Sequence, residues 1–138
     1  MPPTETEKAQ NIWDYWFEKE PHRFFDHVEY PADTSQFYDN YKEDIRLMKE
    51  LVPHNSFRMS ISWSRLIPNG TGEINDKAAN FYNNVIDELI ANGIEPFVNL
   101  FHFDMPMALQ KIGAGSTERR LTLMKTMQEL ASVCLAAE

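Results

Sequence analysis

Ser56-Phe-Arg-Met-Ser-Ile-Ser-Trp-Ser-Arg65 is the stretch that decides the fold. Phe57, Met59, Ile61 and Trp63 alternate with Arg58, Ser60 and Ser62. A period of two predicts a strand from Phe57 to Trp63 with one apolar and one polar face. Pro68, Gly70 and Gly72 downstream read as a loop. A helix follows, with Asn75 as its cap, Phe81, Val85, Leu89 and Ile90 on its apolar stripe, and Gly93 as its stop. Pro96-Phe-Val-Asn-Leu-Phe101 is then a short, mostly apolar run, which is the pattern of a buried parallel strand. Strand, helix and strand in this order make a βαβ unit, whose crossover is right-handed.

Upstream, Phe37, Tyr41, Ile45, Met48 and Val52 stand at helical steps of three and four. Thr34 or Ser35 is placed to cap that helix and Pro53 to stop it. Ile12 to Tyr30 is rich in aromatics without a clean period, which predicts a packed loop or short helices, and residues 1–11 read as loose. Thr117 to Glu138 reads as a nondescript helix. The fold class is α/β. The 138 residues suit one core, whereas a complete eightfold β/α barrel takes about 250 residues, so a barrel reading is necessarily partial. Two strands leave both sheet edges unpaired, which predicts marginal stability, aggregation or self-association through those edges.

Composition narrows the function. The net charge of -8 comes without any Lys/Arg cluster to neutralise phosphates, so nucleic acid is not an expected partner. No apolar run approaches the roughly 20 residues that span a bilayer, and Met1-Pro-Pro-Thr-Glu5 lacks the basic and apolar regions of a signal peptide. Cys134 is the single cysteine, so no intramolecular disulfide forms. These features together predict a cytoplasmic location. Aromatics make up 12% of the chain, a share that serves core packing and stacking on sugar rings alike.

Few residues carry a chemical signal. His22, His27, His54 and His102 are scattered, no Cys pair or His-Glu-x-x-His occurs, and neither a metal nor another cofactor is expected. Glu43 and Asp87 point away from the apolar stripes and read as a solvated face. No Gly-rich phosphate loop or nucleophile elbow is present. His102 is different. It closes an apolar strand just before Phe103, Asp104 and Pro106, where α/β sheets collect ligand-binding residues, although a structural histidine fits there too. Arg58, set among apolar residues early in a strand, calls for a carboxylate partner or a ligand.

These segments resemble glycoside hydrolase family 1, the retaining β-glycosidases. The matching text is Phe37-Tyr-Asp-Asn-Tyr-Lys-Glu-Asp-Ile45 with Leu47-Met-Lys-Glu-Leu51, then Ser56 to Arg65, Asn92-Gly-Ile-Glu-Pro96 and Leu100-Phe-His-Phe-Asp-Met-Pro106. The wording of Trp16-Phe-Glu-Lys-Glu-Pro-His-Arg-Phe-Phe25 and Phe101-His-Phe-Asp-Met-Pro-Met107 is most similar to the 6-phospho-β-glucosidase branch. The resemblance implies part of a TIM (β/α)8 barrel covering strands two and three with their helices. It also implies a family activity of hydrolysing β-glucosides or 6-phospho-β-glucosides. The family works with two glutamates about 5–5.5 Å apart, in an Asn-Glu-Pro motif after strand four and a Glu-Asn-Gly motif after strand seven. Neither tripeptide occurs in this chain, nor does the sugar-binding glutamine after strand one. No catalytic residue is therefore assigned. The resemblance carries over only support: Arg58 matches the arginine that pairs with the nucleophile, and His102 matches a histidine that hydrogen-bonds the sugar.

After Gly113 the resemblance breaks off, where the family continues with Gly-Trp-Glu and a helix. Reading the codons of Ala114 to Glu138 one nucleotide earlier, with permitted synonymous codons, turns Ala114, Gly115 and Ser116 into Gly, Trp and Glu. Thr117 onward becomes Tyr-Arg-Ala-Lys-Val-Asp-Ala-Tyr-Glu-Asn-Tyr-Ala-Arg, which is similar to the family's next helix. The expectation is a β-glycosidase barrel segment over residues 1–113, an out-of-frame tail over 114–138, and no glycosidase activity in the chain alone. The alternative is a sugar-binding or protein-interaction module.

Overall fold

The computed structural model describes residues 8–23, 35–51, 53–112 and 117–134. Its elements in order are α1 (Ile12–Lys19), a single 3-10 turn (Pro21–Arg23), α2 (Phe37–Glu50), β1 (Ser56–Ser60), α3 (Trp63–Leu66), α4 (Asp76–Ala91), β2 (Glu95–Asn99), α5 (Met107–Lys111) and α6 (Thr117–Cys134). β1 and β2 pair in parallel, with Ser56 opposite Glu95, Arg58 opposite Phe97 and Ser60 opposite Asn99. α4 is the crossover between them, so the βαβ unit read from the sequence is present.

α4 forms where its sequence directs it. The Asn75 side chain accepts from the N–H groups of Lys77 and Ala78 at 3.1 and 3.3 Å, taking up two donors that have no partner inside the helix. Ala78, Phe81, Tyr82, Val85, Ile86 and Leu89 are buried along one face. The end is a Schellman closure: the Gly93 N–H donates to Ile90 O and the Ile94 N–H to Leu89 O, both at 2.9 Å. That closure needs the left-handed backbone glycine supplies, here φ +70°. One residue of the expected stripe is corrected. Ile90 is 54% exposed, because it is turned about 100° past Leu89 on the helix, beyond the buried face.

β1 is shorter than its alternation, ending at Ser60 rather than Trp63. The burial pattern nevertheless runs on, with Met59, Ile61 and Trp63 inside and Arg58 and Ser60 outside. The Ser62 N–H donates to the Tyr82 hydroxyl at 2.9 Å instead of to a strand, and α3 starts at once. β2 is also less covered than its apolar sequence predicts. Val98 and Leu100 are half-buried and Phe97 is 59% exposed. The cause is one-sided cover: Phe57 stacks on Phe37 of α2, and α4 packs on β2, whereas the face carrying Arg58, Ser60 and Phe97 is open.

Ile45 is the fully buried residue of α2, and Tyr38 and Tyr41 reach Phe81 of α4 with ring centroids 4.3 and 5.7 Å away. The cap expected at Ser35 is not used. The N-cap is Gln36 in a left-handed conformation with no side-chain bond, while Thr34 and Val52 lie outside the described residues. The aromatic region yields α1, and residues 24–30 lie outside the description. Residues 8–11 are fastened rather than loose. Asn11 is buried and forms a capping box with Asp14, Lys8 pairs with Asp14 at 2.9 Å, and the Ala9 N–H donates to Ser64 O. α6 is the nondescript helix expected: Met127 is buried while Leu121 is 61% exposed. Among the described residues no helix is long and apolar enough to cross a membrane.

Candidate functional site

The parallel strands end side by side at Ser60 and Asn99, and the chain beyond β2 turns back over that end. His102 is exposed there, with Nδ1 3.4 Å from Ser60 Oγ. Phe103 follows in a left-handed backbone, φ +60°, with its ring 66% exposed and 5.9 Å from the imidazole centroid. Such a φ is disfavoured for a bulky side chain and needs neighbours that hold it.

Those neighbours come from the start of α1. Trp13 Nε1 donates to Phe103 O at 2.6 Å, the Ile12 N–H to Met105 O at 3.0 Å, and the Met107 N–H to Gln10 O at 2.9 Å. Asn11 and Pro106 form an isolated antiparallel bridge in the same place. Trp13 and Trp16 stand 5.8 Å apart, each with much of its ring in solvent.

Beneath the turn lies a polar cluster. The Arg65 guanidinium sits over the rings of Tyr38 and Phe81 at 4.9 and 5.7 Å, attracted to their π-faces. It also lies beside the Tyr82 phenol. Burial pushes the Tyr82 hydroxyl above its ordinary value; the Arg65 charge and the bond from Ser62 offset part of that, and Asp104 adds to it. Arg65 Nε and Asp104 Oδ1 are buried without a hydrogen-bond partner among the described residues.

Arg58 lies on the open face, on the same side of β1 as Ser60, and is exposed. It makes no ion pair among the described residues. Alternation carries its side chain off the apolar face of the strand, and the carboxylate partner or ligand expected from the sequence is not found among the described residues. Ser60 links the two sequence-predicted residues, sharing a face with Arg58 and touching His102. Glu43 and Asp87 are exposed, as read from the helical period, and Glu43 pairs with Arg46. His22 lies in solvent 3.5 Å from Glu20, His54 Nδ1 is 3.2 Å from Met48 O, and His27 is outside the described residues. No group of three or more metal-ligating side chains occurs among the described residues.

Sequence reading missed Ser60, Arg65, Tyr82 and Trp13. Ser60 had a signal, since it ends the polar face of a strand. Trp13 had none, because its partner is 90 residues away. A groove of about 410 Å³ between α2 and β1, lined by Phe37, Leu47, Met48, Leu51 and Phe57 with Asp44 and His54, was also invisible. It lies among residues of the helix-covered side of the sheet, away from the open face that carries Arg58.

Comparison with known proteins supplies the context for this site. Residues 4–137 match the family model described as glycosyl hydrolase family 1. The chain is 94% identical over 106 residues to the 6-phospho-beta-glucosidase GmuD of Bacillus subtilis, covering 77% of this chain and 22% of that protein. It is 45% identical over 107 residues to a 6-phospho-beta-galactosidase of Clostridium acetobutylicum, covering 77% and 21%. A β-glucosidase of this family from the fungus Humicola insolens, solved in complex with glucose, superposes with a TM-score of 0.86 at 37% identity. That match covers 96% of this chain and 28% of the fungal one. The chain thus spans about a quarter of the length of these relatives, and the part it spans has the fold of the family's barrel.

Proposed function

This chain belongs to glycosyl hydrolase family 1, and from that premise we propose that it is the strand-two and strand-three segment of a cytoplasmic enzyme hydrolysing the O-glycosidic bond of 6-phospho-β-glucosides. The observation that carries the reading is the pairing of His102 with Ser60 at the C-terminal end of the strands, on the face that also bears Arg58. In a β/α barrel that end is where substrate is met. In this reading His102 hydrogen-bonds the sugar and Arg58 pairs with the nucleophile. The near-identity to a 6-phospho-beta-glucosidase supports the phosphorylated substrate.

The 138 residues by themselves do not perform the reaction. Retaining cleavage needs one carboxyl group to protonate the leaving oxygen and a second to attack the anomeric carbon. Neither family motif that supplies them is in the sequence. Asp104, two residues beyond His102, has one carboxylate oxygen buried and acts electrostatically on the Tyr82 phenol. Titration of the labelled chain with a β-glucoside 6-phosphate tests the reading. Shifts confined to His102, Ser60 and their neighbours support it; shifts confined to other parts of the chain refute it.

Residues 114–138 fit the same account as an out-of-frame tail after a segment ending at Gly113. The weak apolar patterning of α6 and a 94% match that covers 77% of the chain support this, whereas the family-model match runs on to residue 137. The nucleotide sequence across the Gly113 codon tests it. A one-base shift that restores Gly-Trp-Glu supports the tail, and stop codons in that frame exclude it.

A second reading is favoured by the open sheet: the exposed Phe97 and two unpaired strand edges suit an interaction module that self-associates. Size-exclusion chromatography separates the two readings. A concentration-dependent dimer that is abolished by Phe97→Lys supports the second.

A further inference from the structure

We propose that Trp13 is a positioning residue for the sugar-facing turn. Its indole N–H, bonded to the Phe103 carbonyl, holds the left-handed backbone at Phe103 and so sets His102 beside Ser60. The inference rests on the reading that His102 meets the sugar, but its own evidence is conformational.

Three observations converge on it. Phe103 and Gln36 are the two non-glycine residues with positive φ among the described residues, and only Phe103 adjoins the candidate site. An aromatic residue gains nothing intrinsic from that region of backbone space, so an external contact must hold it there. The contact on its carbonyl is the indole of Trp13, at 2.6 Å. The neighbouring ring contact, Phe103 on Phe101 at 6.0 Å, orients the side chain but leaves the peptide plane free to rotate.

Packing is a poor explanation for the tryptophan itself, since 49% of it remains in solvent. Its N–H nevertheless reaches one specific acceptor, the Phe103 carbonyl, which burial alone would not require. The indole is aimed from a fixed base. Asn11 caps α1 and is buried, and the bonds Ile12 N–H to Met105 O and Met107 N–H to Gln10 O tie the helix start to the chain just after the turn. The α1 segment therefore acts as a brace, and Trp13 is the part of it that touches the strained peptide.

The test uses the full chain in solution. In the unchanged protein, the Trp13 indole proton is expected to exchange with solvent more slowly than that of free indole, and exchange at the free rate overturns the proposal without any mutation. Trp13→Phe keeps a ring and removes the donor. The expected result is loss of the nuclear Overhauser contact between the His102 ring and Ser60, together with a changed HN–Hα coupling at Phe103. The indole signal of Trp63, which donates to Gly70 O at 3.1 Å in the core, stays where it is. Adding Phe103→Gly restores the His102–Ser60 contact, because glycine adopts φ near +60° without help. An unchanged coupling and contact in Trp13→Phe refute the positioning role. General loss of core signals that Phe103→Gly does not repair shows a merely structural one. No arm uses a sugar, so failure of His102 to bind one would refute the functional reading and leave this inference standing.

Discussion

Ser60 and His102, 42 residues apart in sequence, meet with Oγ and Nδ1 at 3.4 Å where the two strands end. The contact is a consequence of topology. A parallel βαβ unit sets the ends of its strands side by side, so a residue closing the first strand and one just past the second become neighbours. Ser60→Ala should therefore leave stability within about 0.5 kcal/mol, since the hydroxyl is exposed. It should still move the imidazole nitrogen signals of His102, and heteronuclear NMR of the two proteins checks both.

Leu89 and Ile90 look equivalent in sequence and differ in the fold. Leu89 is fully buried and Ile90 is 54% exposed. Leu89→Ala should cost about 3 kcal/mol through lost burial and a residual cavity, and Ile90→Ala less than about 1 kcal/mol. Urea unfolding of both variants tests the difference, and similar losses would contradict the placement of the helix.

Gly70 and Gly72 separate in the same way. Both have positive φ, +78° and +90°. A Cβ on Gly70 would run into the buried Leu109 side chain, whereas one on Gly72 meets nothing. Gly70→Ala should cost about 2–4 kcal/mol, from strain plus overpacking, and Gly72→Ala about 1 kcal/mol from strain alone. Thermal melts of the two variants are the check.

Alkaline stability should report on Tyr82. Burial raises its folded value above the ordinary one, so the folded chain holds the phenolic proton more tightly than the unfolded chain. That contribution is whole below the ordinary tyrosine value of about 10 and is lost as pH climbs through the raised one. The fall in stability above pH 10 should be shallower in Tyr82→Phe, measured as the urea midpoint at stepped pH. An unchanged slope would place the alkaline sensitivity elsewhere.

The βαβ core was legible because its signals are local. Alternation marked Met59, Ile61 and Trp63 as inside, Asn75 and Gly93 bracketed α4, and the apolar run after Pro96 located β2. What the sequence concealed depends on contacts distant in the chain. β1 gives way at once to α3, with the Ser62 N–H taken by the Tyr82 hydroxyl 20 residues on, and nothing near Ser62 announces this contact. Phe97 reads as core yet stays exposed, because cover on its face would have to come from elements other than those described. His102 stood out by its position at a strand end, whereas Trp13 and Arg65 act across the fold and left no local mark.

The most direct test of the account is turnover of an aryl 6-phospho-β-glucoside by the purified 138-residue chain. The account predicts no release of the aryl group above buffer, because both family glutamate motifs are absent from these residues. Steady release in proportion to the amount of chain, abolished by His102→Ala, would contradict it.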